Sequence, residues 1–188
     1  GRFAAVSSAV GSASSVANYA YVPGSHLMAG YTLDGLTRVV SYEPLRSLII
    51  AVTNSFNDQL ISAFDYANDV IGRSTARLDS RLDGVVIPNA FGYNARSEVT
   101  SANIGTNAYG YVFDPIGNRI STINNVDVTS YAANTLNQYT AISNAVVTLP
   151  IHDDDGNMTS TGDGWHYAWN GENRLVLASN ATHVASYA

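Results

Sequence analysis

The amino-acid sequence predicts a mainly β protein built from repeated antiparallel hairpins. Tyr109, Tyr111 and Phe113 stand at alternate positions, which places three aromatic rings on one face of an extended strand. The residues from Asp114 to Gly117 follow, with Pro second and Gly fourth, a turn sequence of the bulge-forming hairpin class. The same order of residues recurs along the chain at intervals of roughly twenty residues, which is the range of stacked repeats.

The recurring turns share Asp or Asn at the first position and Gly or Asn at the fourth. The first side chain can bond its own backbone, and Gly or Asn tolerates the positive φ that the fourth position needs. Weaker copies begin at Glu43, Asn94 and Asn134, so the sequence does not establish uniform hairpins in the first two-thirds of the chain. The candidate turn residues are Asp69, Gly72, Asp114, Gly117, Asn118, Asp153, Gly156, Asn157, Asn170 and Asn173.

Residues 1–41 carry divergent repeat units. The segment 4–17 is rich in Ser and Ala and is compatible with a flexible linker, although its spaced valines are enough for weak strands. Tyr19 and Tyr21 alternate before a Pro-Gly pair, which predicts a strand followed by a turn.

Clearer repeats fill residues 42–188. The apolar run Leu48–Val52 is β-branched in its middle and predicts a strand covered on both faces. Residues 57–67 could hold a short helix, but Phe64 and Tyr66 alternate, and the repeat register favours a strand.

Arg73, Arg77 and Arg81 recur at four-residue spacing, which is compatible with an exposed helical face. The repeat register instead favours an outgoing strand and loop. Further short apolar strands are predicted at 85–88 and 146–149.

We expect one repeat-array segment over residues 1–188, cut inside a repeat at both ends. Gly1-Arg2-Phe3 reads as the second half of a turn, and the final Ala185–Ala188 as the incoming strand of an unfinished unit. The prediction is a fragment of a longer polypeptide, with a complete small domain with frayed termini as the alternative. Because open strand edges are templates for pairing, such a piece is expected to self-associate.

Composition argues against several classes of function. The net charge of −6 argues against nucleic-acid binding, which needs a basic face. No apolar run approaches the length that spans a bilayer. The chain has no cysteine, so disulfides contribute nothing to its stability.

The sequence contains no convincing catalytic constellation, so we expect neither an enzyme nor a cofactor. His26, His152, His166 and His183 accompany no known catalytic motif, and His152 occupies an aromatic position of the repeat. The alternative is an uncharacterised hydrolase that uses the acidic run Asp153–Asp155 with His152 or His166.

Asp153, Asp155 and Asp163 are candidate calcium ligands because hard cations take several oxygen ligands. Gly156 directly follows Asp155, which departs from the EF-hand pattern. The favoured interpretation is that Asp153 is a turn residue with solvated acidic neighbours.

Trp165, Tyr167 and Trp169 form a second aromatic ladder. Rings on a sheet can bind the apolar faces of sugars, which predicts a carbohydrate-binding module as an alternative function. Aromatic pairs across strands also stabilise sheets, and the repeat register favours this structural role.

The recurring order resembles the YD repeats of the Rhs family, which includes toxin-complex shell components and teneurins. The resemblance rests on aromatic-Asp-x-x-Gly-Asn-Arg units, on Asn134-x-Leu136-Asn137-Gln138-Tyr139 and on Glu172-Asn173-Arg174-Leu175. It covers nearly the whole chain, most clearly from Tyr42 onward.

The resemblance implies that hairpins wind into a spiral or curved β-sheet shell around a C-terminal cargo, often a toxin. The implied partners are the rest of the same shell and that cargo, and the implied location is secreted or at the cell surface. The self-cleavage acids of the bacterial shells lie outside this sequence, so the resemblance assigns no catalytic residue here.

Overall fold

A computed structural model describes residues 2–187, and these form strands and turns with no helix. The predicted mainly β class is therefore confirmed. Gly1 and Ala188, which the sequence analysis assigned to interrupted repeats, lie outside the described residues. Within residues 2–187 no helix has the length and apolar character needed to cross a membrane.

The first of two compact units ends at Asn107. Each strand pairs antiparallel with its neighbours in the chain, so sheet order follows chain order. The strands are β1 (Ala5–Val10), β2 (Ala13–Tyr21), β3 (Met28–Leu33), β4 (Leu36–Tyr42), β5 (Ile49–Phe56), β6 (Gln59–Asn68), β7 (Ser74–Arg81), β8 (Val86–Tyr93) and β9 (Val99–Ile104).

The second unit begins at Ala108 and contains two groups of antiparallel strands, each in chain order. The first group is β10 (Asn107–Phe113), of which all but the first residue belong to this unit, β11 (Arg119–Asn124), β12 (Asp127–Ala133), β13 (Tyr139–Ser143) and β14 (Val147–Thr148). The second group is β15 (Ile151–His152), β16 (Met158–Ser160), β17 (His166–Trp169), β18 (Leu175–Ser179) and β19 (Val184–Ser186).

Three ambiguous segments are strands. The Ser- and Ala-rich start forms β1 and β2 instead of a linker, because its backbone pairs in register from Ala5 opposite Asn18 to Val10 opposite Ala13. The two segments for which a helix was the alternative form β6 and β7, which pair over seven positions.

The protein has very little buried core. Among residues 2–187, the buried hydrophobic side chains are Val40, Val52, Ala102 and Ala178, and none of them is fully buried. The prediction that Leu48–Val52 is covered on both faces is wrong: Ile49 remains 42% exposed although Val52 is only 5% exposed. The reason is that no second layer packs on this side of β5, so stability comes mainly from pairing within the sheet.

The two faces of the first unit differ in composition. Cross-strand pairs have side chains on the same face, and alternate residues return to that face. By this rule one face carries the rings of Tyr19, Tyr31, Phe64, Tyr66 and Phe91. We call it the ring face. The opposite face carries small or aliphatic residues, as in the row Gly30, Val39, Thr53, Ala63, Ser80 and Val86.

Six turns that begin with Asp or Asn have the same backbone hydrogen bonds, and we call them the repeat turns. In each, the N–H of the first residue donates to the carbonyl of the fifth, and the N–H of the fourth donates to the carbonyl of the first. For Asp114 these N···O distances are 2.9 and 3.2 Å. A register shift, typical of a β-bulge, lies directly before every one of them. The repeat turns are 69–73, 94–98, 114–118, 134–138, 153–157 and 170–174. The turn 81–85 has the same two bonds but begins with Arg81, whose side chain offers no acceptor oxygen.

The side chain of the first residue completes each repeat turn. Asp114 Oδ1 accepts hydrogen bonds from the N–H groups of Ile116 at 3.0 Å and Asn118 at 2.8 Å. Asn94 and Asn134 accept the same pair in their turns. The copies that depart from the motif in sequence therefore have the same turn, because Asn and Asp offer the same acceptor oxygen.

The turn that follows Tyr42 is a true exception. It is one residue longer, with the N–H of Glu43 donating to the carbonyl of Leu48 at 2.8 Å. The Glu43 carboxylate instead pairs with Arg46 at 2.7 Å. Positive φ falls on Ser47, at 56°.

Gly30 provides a test of how tightly β3 and β4 pair. A Cβ at this position would overlap the carbonyl oxygen of Arg38, which belongs to the backbone and cannot swing away. We expect Gly30→Ala to lower the free energy of unfolding by about 1–3 kcal/mol. The matched control is Gly171→Ala, since a Cβ there meets nothing within 4 Å. Urea unfolding of both variants measures the difference, and equal midpoints would contradict the close approach.

The turn carboxylates predict acid sensitivity. Burial raises the pKa of Asp69, Asp114 and Asp153, but hydrogen bonds from the turn outweigh it and hold each pKa below its usual range. Their contribution to stability is therefore full above the unfolded pKa of about 3.9 and is lost as pH falls through the lower folded values.

Thermal unfolding from pH 7 down to pH 2 checks this sensitivity. Replacement of all three carboxylates by Asn, the residue already present in the same turn position at Asn134, is expected to keep the fold. It should also flatten the acid limb of the plot of Tm against pH. Asp114→Ala is expected to lower Tm at neutral pH, because two N–H groups lose their acceptor. Asp154→Asn, at an exposed turn position, is the control and should change neither the Tm at neutral pH nor the acid limb of the plot. An unchanged acid limb in the triple variant would exclude the turns as its source.

Candidate functional site

Neighbouring turns within the first unit contact one another through arginine side chains. The guanidinium of Arg46 donates to the carbonyl oxygen of Asp69 in the next repeat turn. The guanidinium of Arg73 donates to the carbonyl oxygen of Asn94 at 3.1 Å and to Ser97 Oγ at 3.3 Å. Each of these bonds joins residues more than twenty positions apart, so it fixes the spacing between hairpins.

In the second unit, amide side chains make the equivalent contacts. Asn118 Nδ2 donates to Asn137 Oδ1 at 3.1 Å, and Asn157 Nδ2 donates to Asn173 Oδ1 at 2.9 Å. Asn118 and Asn157 are the fifth residues of their turns, and Asn137 and Asn173 are the fourth residues of the turns that follow. The Asn after the turn Gly thus faces the next turn, which explains its place in the repeat.

Arg73 combines several contacts and is the most fully bonded of these side chains. Its Nε lies 2.6 Å from Asp69 Oδ2 in its own turn, and its guanidinium lies 4.7 Å from the ring centre of Tyr93. Arg2 repeats the arrangement, with a hydrogen bond to the carbonyl of Ser25 and its guanidinium 4.9 Å from the ring centre of Tyr21. A planar group that stacks on a ring and also directs several N–H donors at fixed acceptors is a guanidinium, so arginine serves here where the point charge of lysine would not.

Aromatic residues before the turns bind the preceding hairpin through their polar tips. The hydroxyl of Tyr42 donates to the carbonyl of Met28 at 2.9 Å, and that of Tyr93 donates to Ser74 at 2.7 Å. Trp169 does the same with its indole N–H, at 2.8 Å from the carbonyl oxygen of Met158. Sequence reasoning found these positions as rings but missed the bond that the Tyr and Trp tips make.

Arg119 holds a central place on the aromatic face of β10 to β13. Its guanidinium lies 5.6 Å from the ring centre of Tyr111 and 5.7 Å from that of Tyr131. Its backbone N–H donates to the hydroxyl of Tyr139 at 3.0 Å. The rings of Tyr111 and Tyr131 are therefore already in contact with a cation of the chain itself, the Arg119 guanidinium.

The predicted carbohydrate ladder is divided into two parts. The rings of Trp165 and Tyr167 are stacked, with centres 6.4 Å apart and planes 8° apart. The ring of His183 also stacks with Trp165, with centres 6.4 Å apart. A bulge between Ala168 and Trp169 interrupts the strand, and Trp169 directs its N–H to Met158. Carbohydrate binding by Trp165, Tyr167 and Trp169 stays a prediction.

The acidic candidates have separate local partners. Asp153 Oδ1 accepts from the N–H groups of Asp155 and Asn157, and Oδ2 accepts from Asn157 Nδ2. Asp163 accepts the hydroxyl of Thr161, which lowers the pKa of Asp163 despite the opposing effect of burial. No group of three or more potential ligands within residues 2–187 is placed to hold a metal ion.

The histidines proposed for hydrolysis lie on different strands. His152 is half-buried at the end of β15, and His166 is exposed at the start of β17. His183 contacts Thr182 Oγ1 at 2.7 Å. Hydrolysis by the Asp153–Asp155 run stays a prediction.

Comparison with known proteins places the chain by its structure. Neither the family models nor the curated proteins include a match to this sequence. A crystal structure of TcdB2-TccC3 matches over 89% of this chain and 12% of that chain, with 10% sequence identity and a TM-score of 0.55. This chain thus spans only a small part of that longer polypeptide.

Two further structures match over a similar span. A structure of the TcdB2-TccC3-Cdc42 complex covers 92% of this chain and 12% of that chain, with 10% identity and a TM-score of 0.49. A structure of the Photorhabdus luminescens Tc holotoxin pore covers 90% and 12%, with 11% identity and a TM-score of 0.47.

At this level of identity, the likeness to TcdB2-TccC3 establishes a fold. It agrees with the resemblance to YD repeats, which rests on residues that the repeat turns use. Over most of its length, this chain has the Rhs-type fold of repeated antiparallel hairpins that is found in TcdB2-TccC3.

Proposed function

We propose that this chain is a wall segment of a YD-repeat shell and has a structural rather than catalytic role. The observation that carries the proposal is the set of hydrogen bonds between successive repeat turns. Such bonds stabilise a hairpin only when the next hairpin is present, so they favour a continuous array over separate hairpins.

The thin sheet also supports a wall. Both faces of the sheet in the first unit stay accessible, and very few side chains are buried. An enzyme site usually needs a concave, enclosed pocket, whereas a wall needs only continuous pairing. In the proposed role, the hairpins enclose a cargo domain, with the rest of the shell and that cargo as partners, in a secreted or cell-surface protein.

Arg73 tests the contacts between turns. Arg73→Lys keeps the charge but loses the fork that reaches Asp69, Asn94 and Ser97 together, so we expect the free energy of unfolding to fall by about 1 kcal/mol. The control is Arg174→Lys, whose pair with Glu172 is exposed on both sides and should change stability very little. Chemical denaturation of the two variants gives the comparison, and equal losses would remove the special role of Arg73.

Encapsulation is tested in the protein made from the complete reading frame that contains this chain. Limited proteolysis, with electron microscopy of the same sample, should show a hollow particle whose internal segment resists cleavage. Gly30→Ala should open the wall and expose that segment, while Gly171→Ala should leave it protected. Rapid cleavage of the internal segment in the unaltered protein would refute the wall proposal, whereas equal protection in all three proteins would show only that Gly30→Ala does not open the wall.

A further inference from the structure

We propose that the ring face of β4 to β7 binds an extended acidic peptide segment. The site is a row of four side chains, Arg38, Asn54, Ser62 and Arg81, which we call the polar row. The inference names a partner class for the proposed wall and so deepens that function, although the binding itself can be measured on this chain alone.

The polar row is set by strand register. Arg38 on β4 lies opposite Asn54 on β5, Asn54 lies opposite Ser62 on β6, and Ser62 lies opposite Arg81 on β7. Arg38 Nη1 donates to Asn54 Oδ1 at 3.0 Å, and Asn54 Nδ2 donates to Ser62 Oγ at 3.0 Å. Since neighbouring strands lie about 4.8 Å apart, the small Ser62 separates two polar groups that flank it.

The polar row carries positive charge without carboxylate partners. Arg77, the other cation here, is already bonded to Asp79, with its Nε 2.6 Å from Oδ1 and its Nη2 2.7 Å from Oδ2. Among residues 2–187, Arg38 and Arg81 form no ion pair, although five of the nine arginines do. The chain has a net charge of −6, so two guanidinium groups without an acidic partner on one face stand out from its overall charge. Guanidinium groups form strong, charge-assisted hydrogen bonds with carboxylates.

Apolar rows lie on both sides of the polar row. Toward one edge, Leu36 lies opposite Phe56, which is 49% exposed. Toward the other edge, Val40 lies opposite Val52 and Val52 opposite Phe64, but Val40 and Val52 are buried and the Arg77 guanidinium lies 5.7 Å from the ring centre of Phe64. Each apolar row is two residues along the strand from the polar row, a distance of about 6.6 Å. A peptide extended along the strands repeats at the same distance on each face. Its acidic residue would meet the polar row when apolar residues stand two positions before and after it.

This spacing favours a peptide over other anions. A single carboxylate or phosphate would use the guanidinium groups but leave the exposed Phe56 uncovered. A peptide of the pattern apolar-x-acidic-x-apolar uses both the charge and the exposed Phe56, and burial of that ring adds to its affinity.

The test uses fluorescence anisotropy of this chain with a rhodamine-labelled peptide, Ser-Leu-Ser-Glu-Ser-Phe-Ser, and the matched peptide with Gln in place of Glu. We expect saturable binding of the Glu peptide, weakened by salt, and affinity at least about fivefold lower for the Gln peptide. Arg81→Gln should weaken the Glu peptide by a similar factor, and Arg81 is exposed, so this variant is expected to fold. Arg174→Gln, which makes the same change in net charge, should not weaken it.

Three outcomes would overturn the proposal. The two peptides could bind alike, or Arg81→Gln and Arg174→Gln could weaken binding alike, which would reduce the effect to net charge. A sulfated oligosaccharide could bind more tightly than the Glu peptide and depend on Arg81, which would assign the row to a polysaccharide. The two proposals can also fail separately. If this chain binds the peptide but the full-length protein does not protect its internal segment from proteolysis, the peptide site stands and only the wall proposal is refuted.

Discussion

Six hairpins depend on one oxygen atom each, the Oδ1 of the first residue of the repeat turn. This atom accepts two backbone N–H groups of its own turn. Such local side-chain-to-backbone bonds favour a turn over a continued strand, so this acceptor marks where the strand ends. Once the turn is fixed, the bulge before it and the positive φ at its fourth residue follow from the same geometry.

The fixed turns in each unit then serve as contact surfaces for their neighbours. Arg73 reaches the turn at Asn94, and Asn118 reaches the turn at Asn137, so the stability of one hairpin depends on the next. The tyrosine hydroxyls at Tyr42 and Tyr93 add bonds to the preceding hairpin. A sheet with so few buried side chains is held by these directional contacts and by its backbone ladders, where a layered domain would rely on its core.

Much of the fold could be predicted from the sequence because the turn residues are local signals. Asp114, Pro115 and Gly117 act on their own backbone, so their meaning does not depend on distant residues. Asn94 and Asn134 differ from the Asp of the motif in sequence but not in the turn they form, because the turn requires only an acceptor oxygen at that place.

The contacts between turns could not be predicted in the same way. The partner of Arg73 lies 21 residues away, and nothing in the adjacent sequence identifies it. The exposure of Ile49 could not be predicted for a related reason. A continuous apolar run does not reveal whether a second layer of the protein packs on that strand. The polar row also depends on the register of four strands, which single-sequence patterns do not fix.

The one-sided distribution of the rings in the first unit limits how such a sequence can change in length. Addition or loss of one residue inside a strand would exchange the two faces from that point onward. Addition or loss of a complete hairpin, from one repeat turn to the next, would leave every ring on its original face and every turn beside another turn. We infer that related arrays vary in length by whole hairpins, and that the hairpin, rather than the residue, is the unit in which this fold can grow.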